Sequence, residues 1–77
     1  MIIDPELIVV GREVRRLREA QGLSQEELAE RSGLHRNYIG GIERGERNVG
    51  IKAFLNLARG LEVHPSELFK GISSDEA

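Results

Sequence analysis

The chain has seventy-seven residues and no cysteine, with 11 Lys or Arg against 13 Asp or Glu for a net charge of −2; this describes one small domain without disulfide staples or thiolate metal sites. A chain this short buries only about 60% of its unfolded surface, so its core is small and association of copies is a common source of added stability. No apolar run approaches the roughly 20 residues that a membrane helix needs, and no basic flank precedes the apolar N-terminus as in a signal peptide, so a cytoplasmic protein without membrane contact is expected.

Helix signals dominate from the start. Asp4 before Pro5 is a helix start, because Asp accepts free N–H groups and Pro is tolerated at the first position. Val10, Val14 and Leu17 recur at helical spacing and Gly22 is a left-handed stop, which predicts helix 1 from Pro5 to Gln21. Ser24-Gln25-Glu26-Glu27 has the form of a capping box and opens helix 2, with Leu28 and Ala29 facing inward. That helix is expected to end near Ser32, with Gly33 supplying positive φ for the turn. Helix 3 is predicted over Arg36 to Arg44, with Ile39 and Ile42 buried and Gly45 ending it. Helix 4 is predicted over Ile51 to Gly60, its apolar stripe formed by Ile51, Phe54, Leu57, Ala58 and Leu61. His64-Pro65 opens a short helix 5 containing Leu68 and Phe69. The expected fold is a compact all-α domain of five helices over residues 1–70, with 71–77 as a disordered acidic tail.

The net charge is acidic, but its distribution is not uniform. Residues 31–52 carry Arg31, Arg36, Arg44, Arg47 and Lys52 against Glu43 and Glu46, whereas 61–77 carry Lys70 against Glu62, Glu67, Asp75 and Glu76. A basic region opposite an acidic end can orient a protein on phosphates, although ordinary surface charge has the same appearance. His35 and His64 lie far apart without carboxylates at ligand spacing, so no metal and no cofactor are expected. No Ser/His/Asp constellation or Gly-rich phosphate loop points to an enzyme.

Two short helices joined by a tight turn at Gly33 place Arg36, Asn37 and Tyr38 on the first turn of the second helix. That arrangement presents hydrogen-bonding side chains to the major groove of double-stranded DNA. Arg36 is the principal candidate base reader, since its planar fork matches O6 and N7 of guanine. Asn37 suits adenine or phosphate. Tyr38 offers a hydroxyl for phosphate and a ring for a thymine methyl or sugar, with core packing beside Ile39 and Ile42 as the competing role. Ser24 and Gln25 begin helix 2, where free N–H groups bind phosphate. Arg44 joins the DNA-contacting set at the end of helix 3, and Arg47 and Asn48 in the following loop suit phosphate or the minor groove. Gly40-Gly41 costs a helix on the order of 1 kcal/mol per glycine against alanine. The favoured reason is close approach of the Gly41 backbone to DNA, and Gly41→Gln is then expected to raise helix stability while lowering affinity. His35 and His64 are read as helix caps.

The run GLSQEELAERSGLHRNYIGGIERGERN, residues 22–48, closely resembles the helix-turn-helix family of phage Cro and cI repressors, the XRE family. With IKAFLNLARGLEVHPSELF, the resemblance extends from about Val10 to Phe69. It implies a lambda-repressor-like DNA-binding domain with its helix-turn-helix at helices 2 and 3. HRNYIGGIERGERN is most similar to restriction–modification controller proteins. On that resemblance Arg36, Asn37 and Tyr38 face the groove, Arg47 and Asn48 contact DNA after the helix, and Gln25 clamps phosphate. Arg18 and Glu43 correspond to a buried ion pair between helices 1 and 3. The chain departs from controllers at His35, where Asp is common, at Gly40, where a polar residue is usual, and at Gly50, which replaces a Ser or Thr cap.

The family's two-fold dimers usually form through helix 5 and its surroundings, which points here to Val63, Leu68 and Phe69, with Ile2, Ile3, Leu7, Ile8 and Val9 as a second apolar candidate. A dimer would set its recognition helices about 34 Å apart on an inverted repeat. The expected function is a homodimeric transcription regulator that blocks or recruits RNA polymerase. The competing expectation is an antitoxin-like interaction module that neutralises a partner.

Overall fold

The computed structural model describes residues 4–72, all helix, turn or coil among those residues. Four α-helices follow one another: α1 (Pro5–Ala20), α2 (Gln25–Ser32), α3 (Arg36–Glu43) and α4 (Ile51–Leu61), with a 3-10 segment at Pro65–Phe69. The expected fifth helix is therefore a single tight segment, not an α-helix. The expected end residues Gln21 and Arg44 are the C-caps of α1 and α3, and α4 runs one residue further than predicted, to Leu61.

Local chemistry sets the helix starts. The Asp4 carboxylate accepts from the N–H groups of Glu6 and Leu7 at 2.9 and 3.4 Å. Ser24 Oγ accepts from Glu27 N at 3.0 Å while the Glu27 carboxylate accepts from Ser24 N at 2.8 Å, completing the capping box. These hydrogen bonds hold the Glu27 carboxyl below its ordinary pKa. His35 Nδ1 accepts from Asn37 N at 3.0 Å, and His64 Nδ1 accepts from Ser66 N at 3.1 Å. Gly50 precedes α4 without a side-chain cap.

Gly33 adopts φ 70° after α2, and the chain turns so that Leu34 N donates to Ala29 O at 3.0 Å. The end of α4 makes the same turn without glycine, at Glu62 with φ 57°.

Val14, Leu28, Ile39, Ile42, Leu57, Leu61 and Leu68 are fully buried, and every helix contributes to this core. Helix α3 packs against both α1 and α2, and α2 packs on α4. The predicted stripe of α4 is incomplete. Leu57, Ala58 and Leu61 are buried, but Ile51 is 78% exposed because the first turn of α4 extends beyond the core. Gly11 lies where α1 meets the end of α3: a Cβ there would collide with Ile42 O and stand 2.8 Å from Glu43 O. Within the segment expected to be a tail, Gly71 is exposed and Ile72 is half-buried against the core. Residues 73–77 of that expected tail, like Ile2 and Ile3, lie outside the described residues.

Candidate nucleic-acid interface

The α2–turn–α3 unit is fixed from beneath by a buried polar network. Arg18 Nε donates to Glu43 Oε2 at 2.7 Å and Nη2 to Oε1 at 3.1 Å, with the two side chains only 11% and 4% exposed. Arg18 Nη1 also donates to Leu23 O at 2.7 Å. The carboxylate holds the Arg18 guanidinium above its ordinary pKa. Gln25 Nε2 donates to Glu43 Oε1 at 3.0 Å, so one carboxylate ties together α1, the start of α2 and the end of α3. No buried side-chain nitrogen or oxygen among the described residues lacks a partner.

One N–H of the Gln25 amide is engaged with Glu43, while its second Nε2–H and the N–H groups at the start of α2 remain to meet an anion. Ser24 is exposed, with its hydroxyl committed to the cap.

Arg36 and Asn37 are exposed on the first turn of α3, and their side chains make no hydrogen bond within the described residues. Tyr38 takes up the packing role in part, half-buried against the core, and the Arg47 guanidinium lies over its ring, 5.8 Å from the centroid. With the Arg47 cation exposed to solvent, such a contact is worth about 0.5–1 kcal/mol. Arg44 Nε pairs with Glu46 Oε1 at 3.0 Å, while Arg47 makes no ion pair among the described residues. Asn48 and Lys52 are exposed beyond it.

The two glycines acquire a different explanation. Gly41 is buried, and a Cβ built on it would lie 2.7 Å from Arg47 Cγ; one on Gly40 would lie 3.1 Å from Arg44 Nη1. The absent side chains thus make room for arginines returning from the end of α3. The expectation that Gly41 leaves bare backbone open to DNA does not describe the free chain, because Arg47 covers it.

One of the three residues expected at a dimer surface needs correction. Leu68 is completely buried inside the chain and cannot meet a partner. Val63 is half-buried, whereas Phe69 is 49% exposed and stacks on Phe54 with centroids 4.8 Å apart. Phe69 shares an apolar groove with Leu7, Phe54, Leu55 and Ile51, and of these four only Leu7 is among the residues expected at a dimer surface. Leu7, Ile8 and Val9 are half-buried.

Among the described residues no His and acidic groups gather as metal ligands, and no helix is long and apolar enough to cross a membrane.

The helix-turn-helix family model matches residues 14–68. The control protein C.SmaI of Serratia marcescens is 41% identical over 70 residues, covering 88% of this chain and 83% of its own. The crystal structure of the restriction-modification controller protein C.AhdI from Aeromonas hydrophila superposes with a TM-score of 0.84 at 52% identity, covering 86% of this chain and all of that one. The controller protein C.Esp1396I, solved as a tetramer in complex with its natural 35 base-pair operator, superposes with a TM-score of 0.80 at 38% identity, covering 88% of this chain and 90% of that one. With this agreement of motif, sequence and fold, the chain belongs to the XRE-type helix-turn-helix family, alongside restriction–modification controller proteins.

Proposed function

We propose that this protein is a cytoplasmic, sequence-specific DNA-binding transcription regulator of the controller type, acting as a homodimer on an inverted-repeat operator. The observation that carries this reading is the first turn of α3: Arg36 and Asn37 project from a rigidly supported helix start, and their side chains have no hydrogen-bond partner among the described residues. A buried ion pair fixes the orientation of that helix, so the two side chains are offered to a groove at low entropic cost. C.Esp1396I, with the same fold, is bound to its operator. Arg36 reads guanine, Asn37 reads adenine or holds phosphate, and the N–H groups at the start of α2 set the depth of α3 in the groove.

Copies pair through the apolar groove around Ile51, Leu55 and Phe69. Occupancy of promoter DNA excludes or recruits RNA polymerase, and the chain acts on its own promoter.

Footprinting with hydroxyl radicals on DNA taken from upstream of the chain's own gene tests this. Two protected half-sites with centres about 34 Å apart are expected. Protection that spreads without sequence preference, or none in that region, contradicts autoregulation by a dimeric reader.

A further inference from the structure

The geometry points to Gly41 and Tyr38 as positioning residues for Arg47, together forming a seat that holds its guanidinium over α3, ready to donate to a guanine edge or a phosphate of DNA. This rests on the DNA-binding reading above.

Three observations converge. Gly45, at φ 75°, reverses the chain, and Glu46 N donates to Gly41 O at 2.9 Å, so the loop is pinned back onto the helix it has just left. The Arg47 stem then crosses Gly41 so closely that an added Cβ would lie 2.7 Å from Cγ, 3.4 Å from Nε and 3.6 Å from Cδ. Beyond that crossing the guanidinium lies over the Tyr38 ring, one helical turn before Gly41. The neighbouring seat at Gly40 differs in one respect. Its occupant, Arg44, is already neutralised by Glu46, whereas Arg47 has no acidic partner among the described residues. A planar cation held by packing alone keeps all its N–H donors available for a ligand.

An arginine placed before binding loses less rotamer freedom when it docks. A methyl group at position 41 should push the stem off the helix and forfeit that advantage without touching the guanidinium.

The test is a double-mutant cycle on the full chain, using a duplex bearing the inverted repeat recovered from a randomised pool. Releasing one long side chain corresponds to roughly two- to tenfold in affinity, and Gly41→Ala should weaken binding by that much. In an Arg47→Ala background the same change should have no further effect. Circular dichroism reports whether each variant folds, and alanine favours the helix. Equal losses in both backgrounds would assign Gly41 to direct backbone contact with DNA and overturn the proposal. Unchanged affinity would overturn it too, and tighter binding would show that Arg47 is parked rather than poised.

A second measurement needs no DNA and so separates failure of the seat from failure of the DNA reading. In the free protein the Arg47 side-chain NMR signals should carry a ring-current shift that both Gly41→Ala and Tyr38→Leu abolish. Unshifted Arg47 signals in the unmodified chain would contradict the seat itself.

Discussion

Arg18→Ala should destabilise the fold severely, and the size of the effect follows from the network around Glu43. Removing Arg18 deletes the donors at 2.7 and 3.1 Å and leaves a 4%-exposed carboxylate with only the Gln25 amide at 3.0 Å. Leu23 O also loses its 2.7 Å donor. Breaking one half of a buried pair costs about 3–5 kcal/mol. A domain of this size has a total stability of only about 4–12 kcal/mol at typical values per residue. A melting point lowered by at least about 12 °C follows from the usual slope of roughly 4–8 °C per kcal/mol. The assay is thermal and urea unfolding followed by far-ultraviolet circular dichroism. Protein concentration must be fixed, because any association of copies would contribute to apparent stability. Arg18→Met combined with Glu43→Leu should recover much of the loss, since an apolar pair of similar volume often replaces a buried ion pair at little cost. A single-variant loss below about 1 kcal/mol, the range of exposed pairs, would refute the reasoning.

Other expectations concern packing, pH and association. Gly11→Ala should cost about 1–3 kcal/mol or more by overpacking against Ile42 O, measured by urea unfolding; a stabilising effect from improved helix propensity would contradict the close approach of α1 to α3. The folded-state pKa of Glu27 is lowered by its bonds to Ser24, so its contribution is present above the unfolded carboxyl pKa and fades as pH falls through the lower folded value. The stability gap between the unmodified chain and Glu27→Gln should therefore narrow between neutral pH and acid, and a gap that widens on acidification has the wrong sign. Leu55→Glu should leave the fold intact yet yield monomers by sedimentation equilibrium, because Leu55 is 37% exposed beside the groove of Ile51 and Phe69. A dimer unaffected by this charge would place the interface elsewhere.

Features encoded over a few neighbouring residues were legible in the sequence. Asp4-Pro5, the Ser24/Glu27 box and Gly33 each act through bonds within one turn, so they announce the starts of α1 and α2 and the tight turn before α3. The exposed Arg36 and Asn37 follow directly from the position of that turn. Features decided by distant packing were less accessible. His64-Pro65 marks a start correctly, but the following segment closes as a 3-10 turn whose Leu68 enters the core, so a residue expected at a partner's surface is interior. Ile51 fits an apolar stripe by spacing, yet no core lies beneath it. The position of Gln25 at a helix start suggests a phosphate ligand but says nothing of its bond to Glu43, which depends on the way α3 returns across α2. The glycine pair was the one available hint of the Arg47 seat, since two costly residues in an eight-residue helix imply something lying over them. Nothing local identified that occupant.

Selection from a randomised double-stranded DNA pool, at roughly 150 mM salt to damp nonspecific phosphate attraction, tests the central claim most directly. The account predicts recovery of an inverted repeat whose enrichment is lost with Arg36→Ala while the variant remains folded and dimeric. A folded, dimeric protein that enriches no sequence, or one whose recovered site is indifferent to Arg36, would contradict it.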